Sequence, residues 1–129
     1  MYLLDTCVLL WMASEQDSLT EKVKQTLSEN AGNLFISSIS AFEIAVKSEK
    51  GKIELPLPPD EWVREALFLH GIEEIFVNSD IACKSVLLPK IHNDPCDRIV
   101  IATAMKHHMI IITSDKTIQQ YPNIEILWH

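Results

Sequence analysis

Four carboxylates in this 129-residue chain stand where carboxylates are awkward. Asp5 ends the apolar run Tyr2–Leu4. Glu43 interrupts the otherwise uncharged stretch Leu34–Val46. Asp97 opens the most apolar helical segment, which runs on through Ile99–Met105, and Asp115 follows the β-branched run Met109–Thr113. In an open parallel sheet, ligand sites gather outside the carboxyl ends of the strands. Asp5 and Asp115 fall at two such ends, and Glu43 and Asp97 near the starts of helices that face the same edge. Carboxylates held close repel one another and resist ionising, a penalty that a hard divalent cation removes. Oxygen-only ligands suit Mg²⁺ or Mn²⁺ rather than zinc, and Mg²⁺ keeps several waters, so some of the four would act through water. A cluster of this kind serves phosphodiester hydrolysis, where the ion orients a phosphate and acidifies an attacking water.

Each acid also has a local explanation. Asp5, Asp97 and Asp115 could cap the helix or turn that follows each. Glu43 fits the N3 position of a capping box, Ser40-Ala41-Phe42-Glu43, and stands four residues before Lys47. It is the joint arrangement that points to a site. Thr6 and Ser114 flank two of the acids and could bond a ligand, a water or their own turns. Asp94 is either a further acid behind the site or a turn residue. Arg98 could pair with a carboxylate of its loop or reach a phosphate. His107 and His108 end a helix, where histidine suits the dipole, and are not expected to be ligands. Cys7 reads as core packing, and Trp11, Trp62 and Trp128 as core or interface.

The elements that must position these residues alternate. Short apolar strands are expected at Tyr2–Leu4, Leu34–Ile36, Ile75–Val77, Met109–Thr113 and Glu125–Trp128. Helices are expected at Cys7–Ala13, from a Ser18-Leu19-Thr20-Glu21 capping box to Asn30, from Ser40 to Lys50, and over Glu61–His70, Asp80–Leu88 and Asp97–His108. That order is an α/β domain with a mostly parallel, covered sheet and unusually short strands. The length fits one domain over residues 1–129.

Composition narrows the partners. Eleven Lys and Arg stand against eighteen Asp and Glu, a net charge of −7, with arginine only at positions 64 and 98. A broad basic nucleic-acid face is excluded, so bound cations or a local patch such as Lys47, Lys50 and Lys52 must meet any phosphate backbone; a solvated helix end is the simpler reading of those lysines. No apolar run approaches the ~18 residues of a membrane helix. The N-terminus lacks a basic leader, and three spaced cysteines, Cys7, Cys83 and Cys96, form no disulfide framework. A cytoplasmic protein with reduced thiols is expected. A haloacid-dehalogenase-type phosphatase would need a second Asp where Cys7 stands. A response-regulator receiver would need an acidic neighbour for Asp5, and no glycine-rich phosphate loop occurs.

Four blocks in order carry a resemblance that covers essentially the whole chain. They are Leu3-Leu4-Asp5-Thr6, the segment from Ser37 to Lys47 followed by Gly51-Lys52-Ile53-Glu54-Leu55-Pro56, the run from His92 to Ala104, and Thr113-Ser114-Asp115 with Tyr121 and Ile126-Leu127-Trp128. Together they resemble a PIN domain, and more narrowly a VapC-type toxin of type II toxin–antitoxin systems. The third block is similar to the H-x-D-P-F-D-R-x-x-x-A-x-A signature of one subgroup, with Cys96 in place of the Phe. The resemblance implies a three-layer α/β/α fold and a Mg²⁺- or Mn²⁺-dependent endoribonuclease. It implies Asp5 and Asp97 as direct metal ligands, with Glu43 and Asp115 completing the site directly or through water. Thr6 and Ser114 match polar positions near the site, and Asp94 an extra subgroup acid. An RNA substrate, a cognate antitoxin and a homodimer follow from the same resemblance. The alternatives are a non-catalytic PIN-like module in which the acids hold a cation or a partner's arginine, and a processing nuclease without antitoxin.

Overall fold

The computed structural model describes residues 1–129. Five strands form one sheet: β1 (Tyr2–Leu4), β2 (Leu34–Ser37), β3 (Ile72–Ile75), β4 (Ile110–Ile112) and β5 (Glu125–Leu127). Six helices surround it: α1 (Thr6–Ser14), α2 (Glu21–Glu29), α3 (Ser38–Glu49), α4 (Pro59–His70), α5 (Ser79–Leu87) and α6 (Pro95–His107). The strand order is β3-β2-β1-β4-β5, and every pairing is parallel. The chain therefore leaves β1 towards one edge and returns to its other side at β4. The boundary between β1 and β4 is the place where strand order reverses, and ligand sites form in the crevice outside that boundary.

Alternate strand residues feed two separate cores, as the two-residue period of a strand dictates. Leu4, Leu34, Ile36 and Ile112 pack with Val8, Leu9, Val23, Leu27, Ile44 and Val63 of α1 to α4. Leu3 and Ile111 pack on the opposite face with Ile81 of α5 and Val100, Ile101 and Ala104 of α6. This is the expected three-layer arrangement. Because helices cover both faces, three residues per strand are enough, and the central strands carry no charge.

Several boundaries differ from the sequence expectation. α2 is capped by Thr20, whose hydroxyl accepts from the Val23 N–H at 3.1 Å, while Ser18 lies in a 3₁₀ turn. α3 is capped by Ser37, three residues before the cap of the proposed Ser40 box. β3 is Ile72–Ile75 rather than Ile75–Val77: it begins straight after Gly71, whose φ of 62° ends α4 in the left-handed region that glycine tolerates. Its Glu73 and Glu74 are exposed, which an edge strand accommodates and which hid it from a hydrophobicity reading.

Candidate metal centre

Asp5 leaves β1 buried, and its backbone N–H donates to the Ile112 carbonyl of β4 at 3.0 Å. Oδ1 accepts from the Thr6 N–H at 2.8 Å, so Asp5 does cap α1. Oδ2 accepts from the Thr113 hydroxyl at 2.7 Å, across the switch point. Burial raises the Asp5 carboxyl above its ordinary range, the Thr113 and Thr6 bonds pull it back, and the Asp115 charge raises it further. Capping α1 thus leaves the Asp5 carboxylate in contact with the β4 side of the switch point.

Glu43 is not the N3 residue of a capping box. Since α3 begins at Ser38, Glu43 falls in its second turn and faces α1. Thr6 Oγ1 lies 2.8 Å from both Glu43 Oε1 and Ser40 Oγ. Having one proton, it donates to the carboxylate and accepts from Ser40. Burial raises the Glu43 carboxyl, the Thr6 bond opposes this, and the Asp5 and Asp94 charges add to the rise.

Asp97 does not cap its helix either. Asp94 does, accepting from the Cys96 N–H at 2.8 Å, with Pro95 in the first turn, where proline is favoured. That frees the Asp97 side chain, 13% exposed, to meet the other acids. Its pKa is pushed up from 3.8 to about 7, first by burial and then by the charges of Asp5, Asp94 and Glu43. Asp115 uses Oδ1 to accept from the Thr117 and Ile118 N–H groups, at 2.8 and 3.1 Å, and so caps a short turn. Its other oxygen points towards the cluster, and Thr113 Oγ1 accepts from its backbone N–H at 3.0 Å.

The Thr113 hydroxyl, next to Ser114, ties Asp5 to the Asp115 turn. The supporting assignment of Arg98 needs correction. Arg98 reaches neither a carboxylate nor the open face of the site. Its buried guanidinium donates to the carbonyls of Val86, Leu88, Pro89 and His92 and to the Tyr121 hydroxyl, at 2.9–3.2 Å. It fixes the loop between α5 and α6. His92 is the residue that sequence reasoning missed. Its Nε2 lies 2.9 Å from Asp97 Oδ2 and 3.5 Å from Asp115 Oδ2. Its place at the head of the His92–Ala104 block was the available signal. Cys96 sits against the same cluster, and its thiol is pushed up to about 11 by burial and by Glu43, Asp94 and Asp97, so it is a neutral neighbour rather than a nucleophile.

The sequence matches the PIN domain over residues 2–124. The chain belongs to the PIN-domain family. Ribonuclease VapC22 of Mycobacterium tuberculosis is 29% identical to it over 129 residues, which span 98% of this chain and 97% of that one. Among solved structures, a toxin–antitoxin complex from Klebsiella pneumoniae aligns with a TM-score of 0.66 at 26% identity, over 98% of this chain and 96% of that one. VapBC2 from Rickettsia felis, bound to a DNA fragment from its promoter, aligns at 0.73 with 17% identity, over 99% and 98% of the two chains. That last likeness speaks to the fold.

The donor set of this PIN domain fits a hard divalent cation. Donor atoms of Glu43, Asp94 and Asp97 lie within 4.8 Å of one another, as do those of His92, Asp97 and Asp115. Asp97 belongs to both sets, and Asp5 stands close enough for its charge to raise Asp97 and Glu43. Lys47 eases Asp5 and Glu43 but leaves Asp97 strongly raised, so the cluster carries less positive charge than its carboxylates need.

Proposed function

We propose that the protein is a Mg²⁺- or Mn²⁺-dependent endoribonuclease, the toxin of a type II toxin–antitoxin pair, hydrolysing RNA phosphodiester bonds at the Asp5, Glu43, Asp97, Asp115 cluster. The observation that carries this reading is the convergence of these acids at the switch point between β1 and β4, where burial and the charges of Asp5, Asp94 and Glu43 push the Asp97 carboxyl up. The relation to Ribonuclease VapC22 supports RNA as the substrate, and the Klebsiella toxin–antitoxin complex supports an antitoxin partner. A divalent cation held by Asp5 and Asp97 would supply Lewis-acid chemistry: orientation of a phosphate, a more acidic water and charge stabilisation at the leaving oxygen.

The chain's own residues set the geometry for that chemistry. Asp97 and Asp5 are the direct ligands, and Asp5 is fixed at both oxygens by Thr6 and Thr113. Glu43 is tethered through one oxygen to Thr6, which leaves Oε2 to take a proton from a water. Asp115 and Asp94 complete the acidic rim. With few basic residues, the chain meets the RNA backbone through the cation and the lysines of α3 and the segment after it, Lys47, Lys50 and Lys52. No helix is long and apolar enough to cross a membrane, and the protein is proposed to work in the cytoplasm. It is proposed to be a homodimer, in keeping with Val86 and Leu87 of α5, which are 65% and 82% exposed.

Cleavage of a labelled total-RNA pool tests the reading. Discrete fragments are expected with Mg²⁺ or Mn²⁺, none with EDTA, and none from Asp97→Asn. Metal-independent cleavage, or full cleavage by the folded variant, would overturn the mechanism. A folded, Mn²⁺-binding protein that cuts nothing in the pool would favour the non-catalytic module.

A further inference from the structure

His92 touches two acids of the cluster, and its ring bonds decide what it can do there. Its Nδ1 accepts from the Asp94 backbone N–H at 3.1 Å. A neutral imidazole carries one proton, so an accepting Nδ1 places that proton on Nε2. Nε2–H then donates to Asp97 Oδ2 at 2.9 Å, with Asp115 Oδ2 beyond at 3.5 Å. A protonated Nε2 has no lone pair for a metal. The three donor atoms of His92, Asp97 and Asp115 lie within 4.8 Å of one another, yet one of them is a donor of the wrong sign. The carboxylate oxygens of the cluster, Asp97 foremost, are left to take the ion.

The ring itself is locked in place. The His92 backbone N–H donates to Tyr121 Oη at 2.8 Å, and its carbonyl accepts from Arg98 Nη1 at 3.1 Å. Both partners are buried. A side chain held at main chain and ring alike costs little further entropy to keep aimed at Asp97. Asp97 is the acid with most to gain from a donor, because it belongs to both candidate sets and is the most crowded by like charge.

We propose that His92 is the positioning residue of the cation site: a fixed Nε2–H donor that orients Asp97 towards the ion and is not itself a ligand. The inference rests on the metal-dependent reading above. It assigns to the first residue of the His92–Ala104 block a task distinct from that of the acids.

Two substitutions separate the ring's two bonds. Gln places an amide donor as many bonds from the backbone as Nε2 but gives up the Nδ1 acceptor. Asn keeps an acceptor near Nδ1 but cannot reach Asp97. Mn²⁺ alone is titrated calorimetrically into wild type, Asp97→Asn, His92→Asn and His92→Gln, each checked for folding by circular dichroism. His92→Asn should bind Mn²⁺ about 10-fold or more weakly, while His92→Gln should stay within about 3-fold of wild type, since partners behind metal ligands are worth 10–100-fold in affinity. Binding by His92→Asn equal to wild type, or equal losses in both variants, would overturn the proposal. A second reading needs no variant. Long-range ¹H–¹⁵N NMR of wild type should show the Nε2–H tautomer of His92 with and without Mg²⁺, and a switch to Nδ1–H on Mg²⁺ addition would make His92 a ligand. Wild type that binds no Mn²⁺, or Asp97→Asn that binds it equally, would instead count against the metal-dependent function itself.

Discussion

Asp97 must carry its negative charge among Asp5, Glu43 and Asp94 and largely out of water, and its pKa of about 7 records the cost. The folded state therefore holds this proton more tightly than the unfolded chain, whose carboxyl titrates near 3.8. For a raised acid, the associated stability is present below the unfolded pKa and is lost as pH rises through the folded one. Between about pH 4 and 7 the metal-free protein should lose stability through this group. Asp97→Asn should melt higher than wild type at pH 8 in EDTA, by about 3–6 °C per kcal/mol relieved, and the gap should close towards pH 4. Thermal melts at the two pH values check this, and a variant that melts lower than wild type at pH 8 would refute it. At this scale the sequence was readable wherever an acid broke an apolar run, which is how Asp5, Glu43, Asp97 and Asp115 stood out. His92 lies in a polar loop, and only its place at the head of the His92–Ala104 block marked it; that its ring also reaches Asp115, 23 positions away, is visible only in the fold.

The loop between α5 and α6 is held chiefly by one buried cation. Arg98 satisfies four carbonyls and a tyrosine hydroxyl with no carboxylate partner, a pattern that suits the planar guanidinium fork. Lysine has the charge but not the reach in two directions. Arg98→Lys should leave at least two of these carbonyls unpaired and cost about 2–6 kcal/mol in denaturant unfolding, at about 1–3 kcal/mol for each unsatisfied group. A loss below about 0.5 kcal/mol, the level of an ordinary surface change, would show that the loop holds itself. Sequence reasoning sent this arginine to a carboxylate or a phosphate because charge alone does not reveal burial. The element starts slipped for a related reason. Serines and threonines abound before α2 and α3, and which one caps is decided by the strand that precedes it: β2 runs to Ser37, so Ser37 caps, α3 starts early, and Glu43 turns towards Thr6. Asp94-Pro95 carried the true start of α6, because proline takes the first turn and the residue before it the cap.

Across the whole molecule, the alternation of strands and helices and the two covered sheet faces were legible, because short uncharged strands have few other uses. β3 was displaced because an edge strand pairs on one side only and admits Glu73 and Glu74. The proposed assembly of two copies has no mark in the pattern, since exposed apolar residues on a helix look like core until the fold is known. Leu87→Asp on α5 should give a monomer by light scattering with thermal stability near that of wild type, because Leu87 is 82% exposed in the single chain. An unchanged dimer would move the interface elsewhere. The bond from Thr113 to Asp5 joins residues 108 positions apart. Thr113 directly follows β4, which is inserted beside β1 only after all six helices have been laid down. A ribosome making this chain thus exposes Asp5, Glu43 and Asp97 long before they have a common floor. The nascent chain carries only scattered acids until residues 110–115 emerge and dock, so the pocket that could hold a cation closes only near the end of synthesis.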